Sequence, residues 1–223
     1  MILATDFGEI DLRLDGNGNL ADGFSGSLLG TSPRILIGQL ELQALATRLA
    51  IRTERRHIFV EGPTSANKLQ YGRNVLARPS VRIKGSSSES FANVEADWSM
   101  DADVDALMVG AARSLRADGK FVQDGDVRKL AAKLQLDGAR PASGEQRRLA
   151  AAIPTAGGTP LEPLLRQLRM ALAGLSKGSV AIAPIEFQSS GTQRSLFIGP
   201  PTIVASSGAR LLGNGRGMII PFG

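Results

Sequence analysis

Along the first residues apolar and polar positions alternate, with Ile10, Leu12 and Leu14 against Glu9, Asp11 and Arg13. This pattern predicts a half-buried strand. Asp15-Gly16-Asn17-Gly18-Asn19 follows, and its Asp-Gly and Asn-Gly steps favour the positive φ of a hairpin turn. After a Gly/Ser-rich stretch, residues 40–53 set Leu42, Leu45, Ala46 and Leu49 on one helical stripe, with Arg48, Arg52 and Arg55 largely off it. That spacing predicts an amphipathic helix. His57 to Val60 reads as a short strand ended by Gly62-Pro63, and Val81 and Ile83 alternating with Arg82 and Lys84 read as another. Gly85-Ser86-Ser87-Ser88 has the composition of an exposed linker or tip.

Further on, Val104, Leu107, Met108, Ala111 and Leu115 match helical spacing, with Asp101 and Asp103 where a helix start favours negative charge. Val127, Leu130, Ala131 and Leu134 predict a second helix, and Ser143 with Gln146 predicts a capping box opening a third that Pro154 ends. Thr159-Pro160-Leu161-Glu162 is a stronger start signal: a Thr cap, Pro at the first helical position, and Glu placed to reach back toward the cap. Leu161, Leu164, Leu165, Leu168, Leu172 and Leu175 continue it as a stripe as far as Gly178. From Val180 the chain turns to short strand-like runs, Val180/Ile182, Leu196/Ile198, Ile203 and Met218/Ile220, separated by Pro and Gly.

The fold class expected from these elements is α+β: an amino-terminal β-hairpin with a helix and a strand, central amphipathic helices, and an extended carboxy-terminal β or irregular tail. The corresponding units are 1–85, 100–178 and 179–223, with a break near 85–100.

Composition narrows the chemistry. The 223 residues include no cysteine, which removes disulfides, thiolate catalysis and thiolate-bound metals. A single histidine, His57, leaves no partner for a histidine-based metal site. Aromatics are only 4%, a poor endowment for stacking on bases. The net charge of +5 is uneven: residues 1–111 hold 11 Lys+Arg against 14 Asp+Glu, and residues 112–223 hold 15 against 7. The basic half suits an acidic neighbour, which keeps a nucleic-acid-binding module centred on 113–169 as an alternative. No run approaches the ~18 apolar residues of a membrane helix, so no membrane partner is expected.

Motifs add little. Asp15, Asn17 and Asn19 mimic a calcium loop, but Leu20 and Gly26 stand where Gly and Glu are required. The Asp101-x-Asp103-x-Asp105 run fails in the same way at Ala106 and Ala112. Gly213-Asn214-Gly215-Arg216-Gly217 is not followed by room for a phosphate-binding helix. Glu54 and Glu61 flank His57 and are the carboxylates nearest to a glycosidase pair, a reaction that needs ~5–9.5 Å between them. No catalytic, cofactor or metal site is expected, and a glycoside-cleaving enzyme is the least favoured alternative.

The run Leu45-Ala46-Thr47-Arg48-Leu49-Ala50-Ile51-Arg52-Thr53-Glu54-Arg55-Arg56, the apolar stretch His57 to Val60 and the step Tyr71-Gly72 carry a family likeness. Over residues 9–76 the chain resembles the gene-25-like baseplate wedge family of contractile phage tails, which includes a baseplate subunit of type VI secretion. The resemblance implies a non-enzymatic structural subunit of a phage tail or baseplate, assembled in the host cytoplasm into the virion tail. Its partners would be other tail or baseplate subunits or further copies of itself. The interface residues expected are Arg48, Arg52, Arg55, Arg56, Tyr71, Arg166 and Arg169.

Overall fold

The computed structural model describes residues 5–6, 9–19, 23–107, 110–141, 143–159, 161–174, 178–191, 193–204, 210–212 and 218–222. It overturns the α+β expectation: the chain is an antiparallel β protein with one helical hairpin. The strands are β1 (Thr5–Asp6), β2 (Asp11–Asn19), β3 (Gly23–Ile37), β4 (Leu40–Glu54), β5 (His57–Ser65), β6 (Lys68–Tyr71), β7 (Asn74–Ser88) and β8 (Asn93–Ala106). They continue as β9 (Gly110–Ala111), β10 (Ser114–Asp124), β11 (Val127–Asp137), β12 (Arg140–Pro141), β13 (Ser179–Ser190), β14 (Gln193–Ile198), β15 (Pro201–Val204), β16 (Arg210–Leu212) and β17 (Met218–Phe222). Helices α1 (Ser143–Thr155) and α2 (Leu161–Gly174) stand between β12 and β13.

Fifteen strands join one sheet whose spine runs β3-β4-β5-β7-β8-β10-β11-β13-β14-β17, so neighbours in sequence are mostly neighbours in space. Among the described residues the ladder does not close: β2 pairs with β3, β17 pairs with β14, and neither meets the other edge. Each of the 15-residue strands β3, β4 and β7 is about 50 Å long at ~3.3 Å per residue.

The helix expected over 40–53 is β4. From Leu45 to Glu54 the covered positions Leu45, Thr47, Leu49, Ile51 and Thr53 alternate with exposed Ala46, Arg48, Ala50, Arg52 and Glu54. An i, i+4 coincidence such as Leu45/Leu49 belongs to both the helical and the strand period, which is how the helical reading arose. Leu42 shares the face of Leu45 despite the odd spacing because the backbone kinks between them at Ala44, φ +51°, while the pairing with β3 resumes at Gln43 in the same register. The helix expected over 104–115 is the end of β8 and the start of β10, and the one over 127–134 is β11. Leu107 forms an isolated bridge and Met108 lies outside the described residues.

Other expectations shift by less. Asp15 to Asn19 continues β2, and the connection falls at 20–22, outside the described residues. Ile10, Leu12 and Leu14 are exposed, at 45%, 63% and 55%, where half-burial was expected. Gly85 to Ser88 is paired strand on both sides, so the expected tip and the boundaries near 85 and 100 fall inside β7 and β8. Asp101, Asp103 and Asp105 lie along β8 and cap no helix. The helices α1 and α2 do form, and the carboxy-terminal strand-like runs become β13, β14, β15 and β17. At the start of α2, Glu162 accepts the N–H of Gly158 at 3.0 Å, while the Thr159 hydroxyl donates to the Ala156 carbonyl at 2.6 Å. Only the glutamate half of the expected capping box forms, reaching Gly158 one residue before the expected cap, because the Thr159 hydroxyl donates to Ala156.

Few apolar side chains are buried. Among the described residues only Ala66, Leu76, Ala102, Leu115, Ala117 and Ile153 are covered to more than nine-tenths. The accessible surface is 14,925 Å² at 23.5 kDa, against about 9,800 Å² for a compact monomer of that mass. The chain is mostly a single layer, and a single layer has two faces to account for.

Candidate functional site

Cross-strand register sorts the side chains into those two faces. On one, a row crosses the sheet from Leu14 through Leu28 to Leu49, and from Gly62 through Ile83, Trp98, Gly119, Ala132 and Ile185 to Ile198. The row beside it holds Ile51, Val60, Gly85, Ala96, Phe121, Leu130, Phe187 and Leu196. On the other side lie Thr47, Thr64, Val81, Met100, Ala117, Leu134 and Ile182, then Ala102, Leu115, Leu136 and Val180. No charged side chain stands in these four rows.

From Leu115 to Phe121 the four rows extend about 20 Å along the strands, and the longest of them spans ten strands, about 43 Å across. The face is thus at most roughly 900 Å², above the ~300–600 Å² of the largest apolar patch on an ordinary monomer. Most of these side chains are only half-covered. The one packed cluster, Leu76, Ala102, Leu115 and Ala117 with Trp98, Met100, Leu134 and Leu136 against it, lies at one end.

Small residues recur among large ones and leave hollows. A cavity of about 630 Å³ is lined by Trp98, Gly119 and Ala132 with their charged neighbours Asp97, Asp118, Lys120 and Lys133, and reaches Ala183-Pro184. A second of about 500 Å³ is lined by Gly62, Ile83 and Trp98 with Glu61, Arg82, Lys84 and Asp97 beside them. Both fall in the ~300–1,000 Å³ range of small-ligand sites. The indole of Trp98 separates them and lies against Gly119, where an added Cβ would come within 2.8 Å of the ring and 2.3 Å of the Ala131 carbonyl oxygen. Glycine at 119 is what lets the ring lie flat on the sheet.

Polar groups on this face are mostly self-satisfied. The Thr47 and Thr64 hydroxyls meet at 2.7 Å, and the Thr53 hydroxyl accepts the Phe24 N–H at 2.7 Å. The Trp98 Nε1–H is buried without a hydrogen-bond partner among the described residues.

The opposite face is charged and solvated. Glu61, Lys84, Asp97 and Lys120 follow one another across four strands, as do Asp101 and Arg116 in a parallel row. Alternating signs place favourable pairs side by side: Lys84 meets Glu61 at 3.6 Å, Arg116 meets Asp101 at 3.7 Å, and Lys120 pairs with Glu95. The Glu95 contact, and after it the Glu95 charge, raises the Lys120 ammonium above its ordinary value. Asp103 raises Arg78 likewise, through a hydrogen bond first and charge second.

The expected interface residues do not converge. Arg48 and Arg52 project from the charged face of β4, where the Arg52 guanidinium lies 4.8 Å from the centroid of the Phe59 ring and 3.8 Å from Glu54. Arg55 and Arg56 form the two-residue β4–β5 turn, with φ +49° and +65°. Tyr71 is exposed at the end of β6. Arg166 and Arg169 lie on α2, Arg166 held to Glu162 at 2.7 Å. On that helix the side chains of Leu164, Leu168 and Leu172 fall outside the described residues, as do Leu175 and residues 213–217. Glu54 and Glu61 are seven positions apart across a turn, each facing its own cation, about 13 Å along the strands and beyond glycosidase reach. Among the described residues no three acidic or histidine side chains gather as a metal site.

Sequence reasoning missed the apolar face itself. The available signal was period-two alternation, as in Val94, Ala96, Trp98, Met100 and Ala102 against Glu95, Asp97, Ser99, Asp101 and Asp103. Comparison with protein-family models, curated proteins and solved structures finds no match to this chain.

Proposed function

We propose that the chain is a non-enzymatic binding protein whose apolar sheet face holds the hydrocarbon chains of an amphiphile. The observation that carries this reading is the uncharged, half-covered band of four rows that register places on one face of the sheet. Backbone groups are consumed by the sheet ladder and the threonines bond locally, so the face offers area and few directional partners. Such a surface suits a flexible methylene chain, since a specific protein interface of this size carries about ten hydrogen bonds. Its length of about 20 Å exceeds the ~15 Å of one leaflet's chains in a bilayer core of ~30 Å.

The only tryptophan, Trp98, makes the test direct. Single-chain amphiphiles brominated along the chain are expected to quench its fluorescence saturably, with unbrominated analogues competing. Absence of saturable quenching, with the β spectrum intact, refutes the reading.

A second reading, a structural subunit in a larger assembly of the tail or baseplate kind, draws on one observation: β2 is a nine-residue strand whose second edge has no partner among the described residues. Such an edge is a template for another chain's strand. Native mass measurement tests it, since a stable monomer at all concentrations removes that reading.

A further inference from the structure

At one end of the apolar face the four rows give way to a polar one. Gln123 on β10 is opposite Arg128 on β11, Arg128 opposite Ser189 on β13, and Ser189 opposite Arg194 on β14. By the period of their strands these residues share the face of Phe121, Leu130, Phe187 and Leu196. Two guanidiniums thus flank one hydroxyl at the mouth of an apolar surface, their backbones two strand spacings, about 10 Å, apart. Both arginines are exposed, and Ser189 between them is 9% exposed. Elsewhere in the sheet Arg116 pairs with Asp101 and Arg78 with Asp103, while Arg48 and Arg82, on the opposite face, have no ion pair among the described residues. Among the described residues Arg128 and Arg194 have no ion pair, and the Ser189 hydroxyl has no hydrogen bond. The carboxylates nearest in sequence, Asp124 and Asp126, belong to the β10–β11 turn region and pair with neither.

We infer that Arg128, Ser189 and Arg194 receive the phosphate headgroup of an amphiphile whose chain lies along the apolar rows toward Leu136. This inference rests on the proposed function and deepens it by naming headgroup and direction. Guanidinium forks match the oxygens of a phosphate, and the serine hydroxyl supplies a further donor. The floor beyond has no charge to meet, so one ligand satisfies both regions only if it is anionic at one end and apolar along the rest. Trp98 sits four residues further in and two strands over from Arg128, about 13 Å along and about 10 Å across.

The experiment compares lysophosphatidylglycerol, monoacylglycerol of the same chain length, and inorganic phosphate, read by Trp98 fluorescence and calorimetry. The intact protein is expected to prefer the anionic amphiphile roughly tenfold or more, and bromine in mid-chain should quench Trp98 more than bromine beside the head. In Arg128→Ala/Arg194→Ala the preference should fall to near parity, with monoacylglycerol affinity unchanged. Arg128→Lys/Arg194→Lys should keep part of it, and Arg48→Ala/Lys129→Ala, which removes two charges from the other face, should keep all of it. A preference unchanged in the double alanine variant overturns the inference, as does equal loss of both amphiphiles with the β spectrum intact. Tight binding of inorganic phosphate alone, competing with no amphiphile, overturns it too. Failure of every amphiphile to bind the intact protein would instead remove the proposed function beneath it.

Discussion

The two faces of the sheet are made by the same strands, with the same backbone hydrogen bonds, and differ only in which parity of residue they show. On β8, Val94, Ala96, Trp98, Met100 and Ala102 point one way and Glu95, Asp97, Ser99, Asp101 and Asp103 the other. The charged face completes itself, with carboxylates one strand away, as Lys84 finds Glu61 and Arg116 finds Asp101, or with water, as at the exposed Arg48, Arg82, Lys129 and Lys133. The apolar face does not, because hydrocarbon can only be satisfied by a second layer and most of this one has none. A self-sufficient face is a surface, and an incomplete one is a site.

Substitutions that exchange the character of the faces test that contrast most severely. Leu130→Glu places a carboxylate in the apolar row, and amphiphile affinity is expected to drop about a hundredfold, whereas Lys129→Glu, one residue away on the charged face, should change it less than about twofold. Quenching titrations decide between them. Gly119→Val comes next: with the Ala131 carbonyl 2.3 Å from the new Cβ and the Trp98 ring at 2.8 Å, it should cost about 1–3 kcal/mol, seen as a lower midpoint in urea. Thr47→Val removes the 2.7 Å contact with Thr64 and leaves that hydroxyl alone, a loss of about 1 kcal/mol by the same measurement.

The smallest effect belongs to the helical hairpin. The Glu162 carboxyl is held below its ordinary value of 4.5, first by the Gly158 N–H and then by Arg166. Its contribution is complete above 4.5 and is lost as pH falls through the lower native value. Helical dichroism of the protein should therefore decline more on acidification than that of Glu162→Gln.

How legible this was in the chain depended on which period a segment could be mistaken for. Where cap chemistry marked a start, as at Thr159-Pro160-Leu161-Glu162, the helix was found. In β4 and β11, Leu45/Leu49 and Leu130/Leu134 satisfy helical and strand spacing alike, and only the residues between them, Thr47 and Ala132 facing the same way, separate the two. The run Leu45 to Arg56 that carries the likeness to baseplate wedge proteins reads as helix as far as residue 53, and it is strand to Glu54 with Arg55 and Arg56 in the turn. The Arg128–Ser189–Arg194 row was beyond reach, since its members are joined only by register between β11, β13 and β14, across an intervening helical hairpin.

The unclosed ladder carries a consequence of its own. A barrel's diameter is set once strand number and stagger are chosen, but an open sheet has no such ceiling. Any hairpin docking in register on the free side of β2 would lengthen the greasy corridor by about 10 Å and leave every existing pairing as it is. A conduit of any length is within the reach of this architecture, assembled by repetition and requiring no new fold.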